Sequence, residues 1–199
     1  MSTTFATTGT LGSVMFESRT WTRQLAVAVG FSLLVALSAQ VVIPHPFSDV
    51  PMTGQTFAVL LTGALLGSRL GALALALYLV EGALGLPFFH AGRGGITHLL
   101  FSPTAGYLWA YPFAAFLTGT LAERGWDKRF ITAAAAMMLG SIVILTGGWA
   151  WRAMFLMTPA QAFMTSVVPF LAGDVIKILA AAALLPAGWK LVGRRHQQT

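Results

Sequence analysis

The sequence predicts an all-α integral membrane protein of six transmembrane helices, with both termini cytoplasmic and an outward-facing pocket. Three observations predict it. The 199 residues are 56% hydrophobic and only 9% charged, where an ordinary soluble domain carries ~25% charged residues, and the mean hydropathy is +0.76. Uncharged apolar runs of spanning length recur along the chain, punctuated by Pro, Gly and basic residues. The cations gather at the ends of those runs on one side. The expected organisation is a polar cytoplasmic tail at 1–24, one six-helix domain at 25–189 and a basic tail at 190–199.

The spans follow in order. Leu25–Ile43 holds no charge over 19 residues, long enough to cross most of a ~30 Å hydrocarbon core at ~1.5 Å per residue, and Pro44, Pro46 and Pro51 stop it. The second run starts near Met52 and reaches Ser68. Arg69 and Gly71 mark a tight turn into the third, Ala72–Phe89, making an antiparallel hairpin. The 29 uncharged residues between Arg93 and Glu123 are too many for one span. Pro103 and the glycines at 92, 94 and 95 break them into a loop dipping toward the membrane and a fourth helix from Tyr107 to Ala122. Such a loop needs protein or a cavity around it, because lipid offers its backbone no hydrogen bonds. Phe130–Trp151 is the fifth span and Val167–Trp189 the sixth.

Orientation comes from the cations. With the N-terminus in the cytoplasm, Arg19, Arg23, Arg69, Arg124, Lys128, Arg129, Lys190, Arg194 and Arg195 fall inside, against Arg93 and Arg152 outside, as the positive-inside rule requires. The Pro- and Gly-rich loops 44–53, 88–106 and 152–165 then face outward, and so should any chemistry.

Three ionisable groups fall within apolar runs: Glu81 in the third, and Asp174 with Lys177 in the sixth. Each costs roughly 2.5–3.5 kcal/mol at the bilayer centre, so each must face the protein interior or a wet cavity. Asp174 and Lys177 are three apart, on one helical face, and read as the floor of the pocket rather than as a packing clamp, since buried ion pairs stabilise weakly. Glu81 reads equally as a proton carrier, a partner for Arg93 or Arg152, or a helix clamp. Arg93, in a Gly-flanked outer loop, can grip a carboxylate with both arms of its guanidinium. Tyr107 follows the turn that returns the chain to the membrane. Ala28, Ser32 and Ala36 form a small-residue groove on the first helix that permits close helix contact.

Other classes are excluded. The net charge of +6 is sparse and sits at run ends, so no nucleic-acid face is expected. Zero cysteines remove disulfides and thiolate sites. His45, His90 and His98 match no metal-ligand spacing, and neither a nucleophile with its base nor a nucleotide-binding loop is present, so no cofactor, metal or enzymatic activity is expected. What remains suits a small polar solute with an apolar body.

The residues Val50-Pro-Met-Thr-Gly-Gln-Thr, Leu61-Thr-Gly-Ala-Leu-Leu-Gly, Tyr78-Leu-Val-Glu-Gly-Ala-Leu-Gly-Leu-Pro-Phe-Phe, Ser102-Pro-Thr-Ala-Gly-Tyr-Leu and Pro169-Phe-Leu-Ala-Gly-Asp-Val-Ile-Lys run in order through the chain. Together they resemble the BioY family, the biotin-specific S components of energy-coupling-factor (ECF) transporters. The resemblance implies a cell-membrane protein that binds biotin from outside and works with a T component and two cytoplasmic ATPase subunits. It implies that Asp174 and Lys177 line the biotin pocket, and that Val50 to Gln55, including Thr53 and Gln55, form a lid over it. His90, Tyr107, Arg93 and Glu81 complete the expected binding set. Two departures stand out: Ser102 and Ala105 replace glycines of the family turn, and Val29 and Leu33 occupy the register of the family's Ala-x-x-x-Ala contact for the T component, with Ala28 and Ser32 one residue off. A dedicated energising module, a homo-oligomer and uptake by the chain alone stay open, as do another vitamin or carboxylate-bearing heterocycle as ligand, a membrane-embedded enzyme, and an assembly subunit.

Overall fold

The computed structural model describes residues 9–11, 20–44 and 48–195; Arg19, His45 and Pro46 lie outside the described residues. Helix α1 (Trp21–Ala39) is built from Ala, Leu and Val with no interior Pro. Leu25, Leu33, Leu34 and Leu37 stand on its exposed side, as expected for a face that meets lipid chains. Ser32 satisfies its hydroxyl by donating back to the Val29 carbonyl at 2.8 Å, which is how a hydroxyl is tolerated away from water. The expected span Leu25–Ile43 ran four residues too far. Val42–Ile43 forms strand β1, paired antiparallel with β2 (Met52–Thr53) in the register Val42 to Thr53 and Ile43 to Met52.

Helices α2 (Gln55–Leu66) and α3 (Ser68–Ala83) form the expected hairpin, but its turn is Gly67, not Arg69 and Gly71. Gly67 has φ +86 and ψ 177, a region open essentially to glycine alone. The Glu123 carboxylate then caps the start of α3, accepting from the Ser68 amide at 2.7 Å and the Ser68 hydroxyl at 2.9 Å. A negative charge there also complements the helix dipole.

Helix α3 ends at Ala83, six residues short of the expected Phe89, because the chain turns through Gly85 at φ +103. Phe88 and Phe89 instead pack as loop residues against Tyr78. An apolar run says that residues are out of water, not that they are helical. A 3-10 turn (His90–Gly92) leads to α4 (Ile96–Phe101), a short helix inside the segment expected to be loop.

Helices α5 (Ala105–Glu123) and α6 (Phe130–Phe155) follow. The second is longer than expected and carries Arg152 in its last turn. The segment read as an outer loop contains α7 (Pro159–Ser166), started by a capping box in which the Thr158 hydroxyl accepts from the Gln161 amide, and a 3-10 turn (Val168–Phe170) precedes α8 (Leu171–Arg195). Asp174 therefore sits in the first turn of α8.

Among the described residues, three stretches are long and apolar enough to cross a membrane: Trp21–Ala39, Phe130–Phe155 and Pro159–Leu191. Helix α5 lies centrally against α2, α3 and α6, while α1 packs on α3 and α8 on α6. Small residues of α5, among them Ala110, Ala114 and Ala115, allow the close approach of neighbours that stands in for hydrophobic driving force in lipid.

The loops sort to two ends. At the loop-rich end, the Gln40 side chain accepts from the Gly92 amide at 2.8 Å and donates to the Phe89 carbonyl at 3.3 Å. At the opposite, basic end, the Trp189 indole donates to Asp127 at 2.6 Å while Lys128 lies 4.9 Å from the Trp189 ring. Thr10 and Leu11, in the segment expected as a polar tail, are buried there, with Leu11 against Gly188.

Candidate functional site

A cavity at the loop-rich end is walled by Val50, Pro51 and Thr53 of the segment before α2, by Gln55 and Thr56 of α2, by His90 and Thr104, by Tyr107, Leu108 and Tyr111 of α5, by Leu145 of α6, and by Phe170, Asp174 and Lys177 around the start of α8. The short α2 makes it possible. At 12 residues it rises only about 18 Å, and the largely half-buried extended chain before it, whose backbone pairs with β1 and with Val41, fills the remainder.

The polar floor is a four-residue arrangement. Asp174 is buried, accepts a 2.5 Å hydrogen bond from the Ser141 hydroxyl of α6, and lies 3.6 Å from the Lys177 ammonium. That last distance is an ion pair rather than a hydrogen bond. Lys177 donates instead to the Thr56 hydroxyl at 2.8 Å. Both charges are thus held by hydroxyls from other helices, with the cavity in front of them. Aromatic and aliphatic walls adjoin this floor. The Tyr107 ring seats on Gly148, where a Cβ would collide with it, and its hydroxyl donates to the Ser166 carbonyl at 2.7 Å; Phe170 lies with its ring centroid 5.9 Å away.

Six of the expected site residues therefore meet at one cavity: Asp174, Lys177, Tyr107, Gln55, Thr53 and His90. The buried Gln55 amide donates to the Tyr78 hydroxyl, which donates on to the Phe88 carbonyl at 3.1 Å, so it ties the cavity wall to the loop after α3. His90 lies beside His98, with ring centroids 5.3 Å apart. Burial, then His98 and Arg93, push His90 down to about 4, so it meets the cavity as a neutral imidazole.

Arg93 and Glu81 are not brought in. Arg93 is exposed on the loop, pairing through its backbone with Phe89, and Glu81 lies in the last turn of α3, its Oε2 buried without a hydrogen-bond partner among the described residues. Ala28, Ser32 and Ala36 are 0%, 0% and 5% exposed. The structure turns that stripe inward toward α3, so it is not available as a partner contact. Helix periodicity placed the three on one face but could not say which face was covered from within.

Sequence reasoning missed Ser141, Thr56, Tyr111, Phe170 and a second ion pair, Arg152 with Asp49 at 2.6 Å. Ser141 was visible only as a hydroxyl inside an uncharged run, and Thr56 as the last residue of the Val50–Thr56 motif. Two larger hollows, of about 570 and 480 Å³, open on the sides of the bundle but contain no charged side chain. The cavity above Asp174 has about 40 Å³ of free space, near the share of one or two waters, so a larger solute needs one of its walls to move.

The BioY family model matches residues 6–194, nearly the whole chain. The chain belongs to the BioY family. Among BioY relatives, the probable biotin transporter BioY of Pyrococcus horikoshii is 36% identical over 162 residues, covering 81% of this chain and 93% of that one. The biotin transporter BioY of Rhizobium etli is 38% identical over 175 residues, covering 82% and 91%, and that of Thermotoga maritima is 36% identical over 162 residues, covering 81% and 93%. The fold of this BioY chain also matches a crystal structure of the S-component for biotin from an ECF-type ABC transporter, with a TM-score of 0.77 at 23% identity over 85% of this chain and 92% of that one.

Proposed function

We propose that this chain is the substrate-capture component of a biotin transporter. Membership of a family whose relatives are named biotin transporters supports the ligand. The observation that carries the chemistry is the Asp174–Lys177 pair, held by Ser141 and Thr56 at the floor of the cavity. Asp174 accepts a charge-assisted hydrogen bond from a ureido N–H of biotin. Lys177 keeps that carboxylate ionised and offers its donors to a neighbouring oxygen. Tyr107, Tyr111, Leu145 and Phe170 cover the apolar bicycle.

In this reading α1, α2, α3, α5, α6 and α8 are six spans. The basic end, with Arg69, Arg124, Lys128, Arg129 and Lys190, is cytoplasmic along with both termini, and the cavity opens outward; the positive-inside rule supports that direction. The chain resides in the cytoplasmic membrane and passes biotin inward with an ECF T component and two ATPase subunits. The contact for the T component then belongs to the outer side of α1, where Gly30, Leu33 and Leu37 are exposed. No catalytic role is assigned, in keeping with relatives that are named as transporters.

Retention of radiolabelled biotin by the purified protein without ATP tests the reading. Nanomolar retention, displaced by unlabelled biotin, is the expected result. Absence of retention, or displacement by another vitamin at lower concentration than biotin, overturns it.

A further inference from the structure

The most deeply buried cation of the described residues does not line the cavity above Asp174. Arg152 is 1% exposed, in the last turn of α6. Its Nη2 donates to the Thr165 hydroxyl at 3.3 Å and, weakly, to the Met157 sulfur at 3.7 Å. Its Nε has no hydrogen-bond partner among the described residues, and its Nη1 lies 2.6 Å from the Asp49 carboxylate without the alignment of a hydrogen bond. A guanidinium carries five donors in a planar fork. Here most of that fork is out of water and poorly used.

The one anion that compensates it sits on the wrong kind of element to be permanent. Asp49 has a side chain 57% exposed and directly precedes Val50 and Pro51, cavity walls on non-helical chain in a cavity where a solute larger than water needs a wall to shift. When that segment moves, Asp49 moves with it, and an uncompensated buried charge is strongly unfavourable. An incoming anion relieves this.

Helix α6 puts Arg152 where such an anion would lie. Ser141, Leu145, Gly148 and Arg152 recur at intervals of four, three and four, one continuous stripe of buried positions on a single helix face. Ser141 at one end holds Asp174, Leu145 lines the cavity, Gly148 seats the Tyr107 ring, and Arg152 follows about 16 Å along the axis from Ser141. Arg152 donates to Thr165, next to the Ser166 carbonyl that takes the Tyr107 hydroxyl, so it lies just behind the aromatic wall. A solute with its polar ring on Asp174 and a carboxylate on a flexible tail reaches Arg152 past the Tyr107 ring, which covers Gly148 midway along the stripe.

Resting on the biotin reading above, we infer that Arg152 is the anion-recognition residue of the site, binding the ligand's carboxylate in exchange for Asp49. Asp49 occupies the guanidinium when the segment around Val50 is closed on an empty site, and the valerate carboxylate takes its place as biotin enters. Recognition of the carboxylate and displacement of the wall are then one event, and a neutral analogue lacks the means to drive it.

The test compares retention of biotin and of its primary amide by the purified wild-type protein and by Arg152→Gln and Asp49→Asn variants. Wild type is expected to hold biotin at least tenfold more tightly than the amide. Arg152→Gln is expected to reduce that preference to within about twofold, and Asp49→Asn to keep it while holding biotin as tightly as wild type or more so. Equal retention of acid and amide by wild type overturns the inference while leaving the biotin reading intact; failure to retain biotin at all overturns both. An undiminished preference in Arg152→Gln assigns the carboxylate to another cation. Where Arg152→Gln does not fold, Asp49→Asn decides: tenfold weaker biotin retention makes the pair a latch that must re-form over the ligand and overturns the exchange.

Discussion

The Ser141 hydroxyl on α6 donates to the Asp174 carboxylate on α8 at 2.5 Å, joining the two helices at the floor of the cavity and aiming the other carboxylate oxygen at Lys177. Hydrogen bonds to charged groups are worth more than neutral ones, about 1.5–3 kcal/mol each. Ser141→Ala is therefore expected to lower stability by about that amount and to weaken biotin retention about tenfold. Thermal unfolding in detergent and radioligand retention measure the two effects; a variant that binds normally removes Ser141 from the site.

Asp174→Asn keeps the shape and removes the charge. It leaves the Lys177 ammonium with the Thr56 hydroxyl as its partner, so both fold stability and biotin retention are expected to fall, the latter by tenfold or more. Adding Lys177→Met removes the stranded charge. The double variant is expected to regain stability, because a buried pair can be replaced by apolar groups at little cost, but not binding. Thermal unfolding of the single and double variants separates the structural effect from the functional one.

His90 provides a pH signature. Burial, with His98 and Arg93 nearby, holds it down to about 4 from an ordinary value of 6.5, so the folded state favours the neutral ring. The sign follows from linkage: between pH 6.5 and 4 the unfolded chain binds more protons at this position, and stability falls as pH falls through that window. Above pH 6.5 the contribution is complete and flat. His90→Gln is expected to make the unfolding temperature fall less steeply between pH 6.5 and 4, and a slope identical to wild type contradicts this.

Gly67→Ala tests the hairpin at the opposite end. Its φ of +86 and ψ of 177 lie where a Cβ is strained by about 1–3 kcal/mol, and a Cβ there would also press on the Glu123 carboxylate that caps α3. A loss of stability of that order is expected, with biotin retention unchanged in the protein that remains folded, because the turn is remote from the cavity. Thermal unfolding and retention on the same sample check both halves.

Sequence by itself determined the solvent of this fold and the chemistry of its floor. The scarcity of charge and the uncharged runs that became α1 and α6 made the chain a membrane protein, and spacing of three put Asp174 and Lys177 on one helix face. The ordered motifs from Val50 to Lys177 were enough to suggest the family. Those are local properties: hydropathy, periodicity and motif order are read along one stretch of chain.

Tertiary structure decided everything that depends on a second element. It supplied Ser141 and Thr56, from helices far away in sequence, to hold the charge pair. It turned Ala28, Ser32 and Ala36 toward α3, because periodicity shows which residues share a face but not what covers that face. It ended α3 at Ala83 and left Phe88 half-buried and Phe89 buried in a loop, since burial in protein and burial in lipid have the same hydropathy. Arg93 and Arg152 looked alike as outer cations; only packing left one exposed on its loop and buried the other, beside Asp49, where its charge needs an anion.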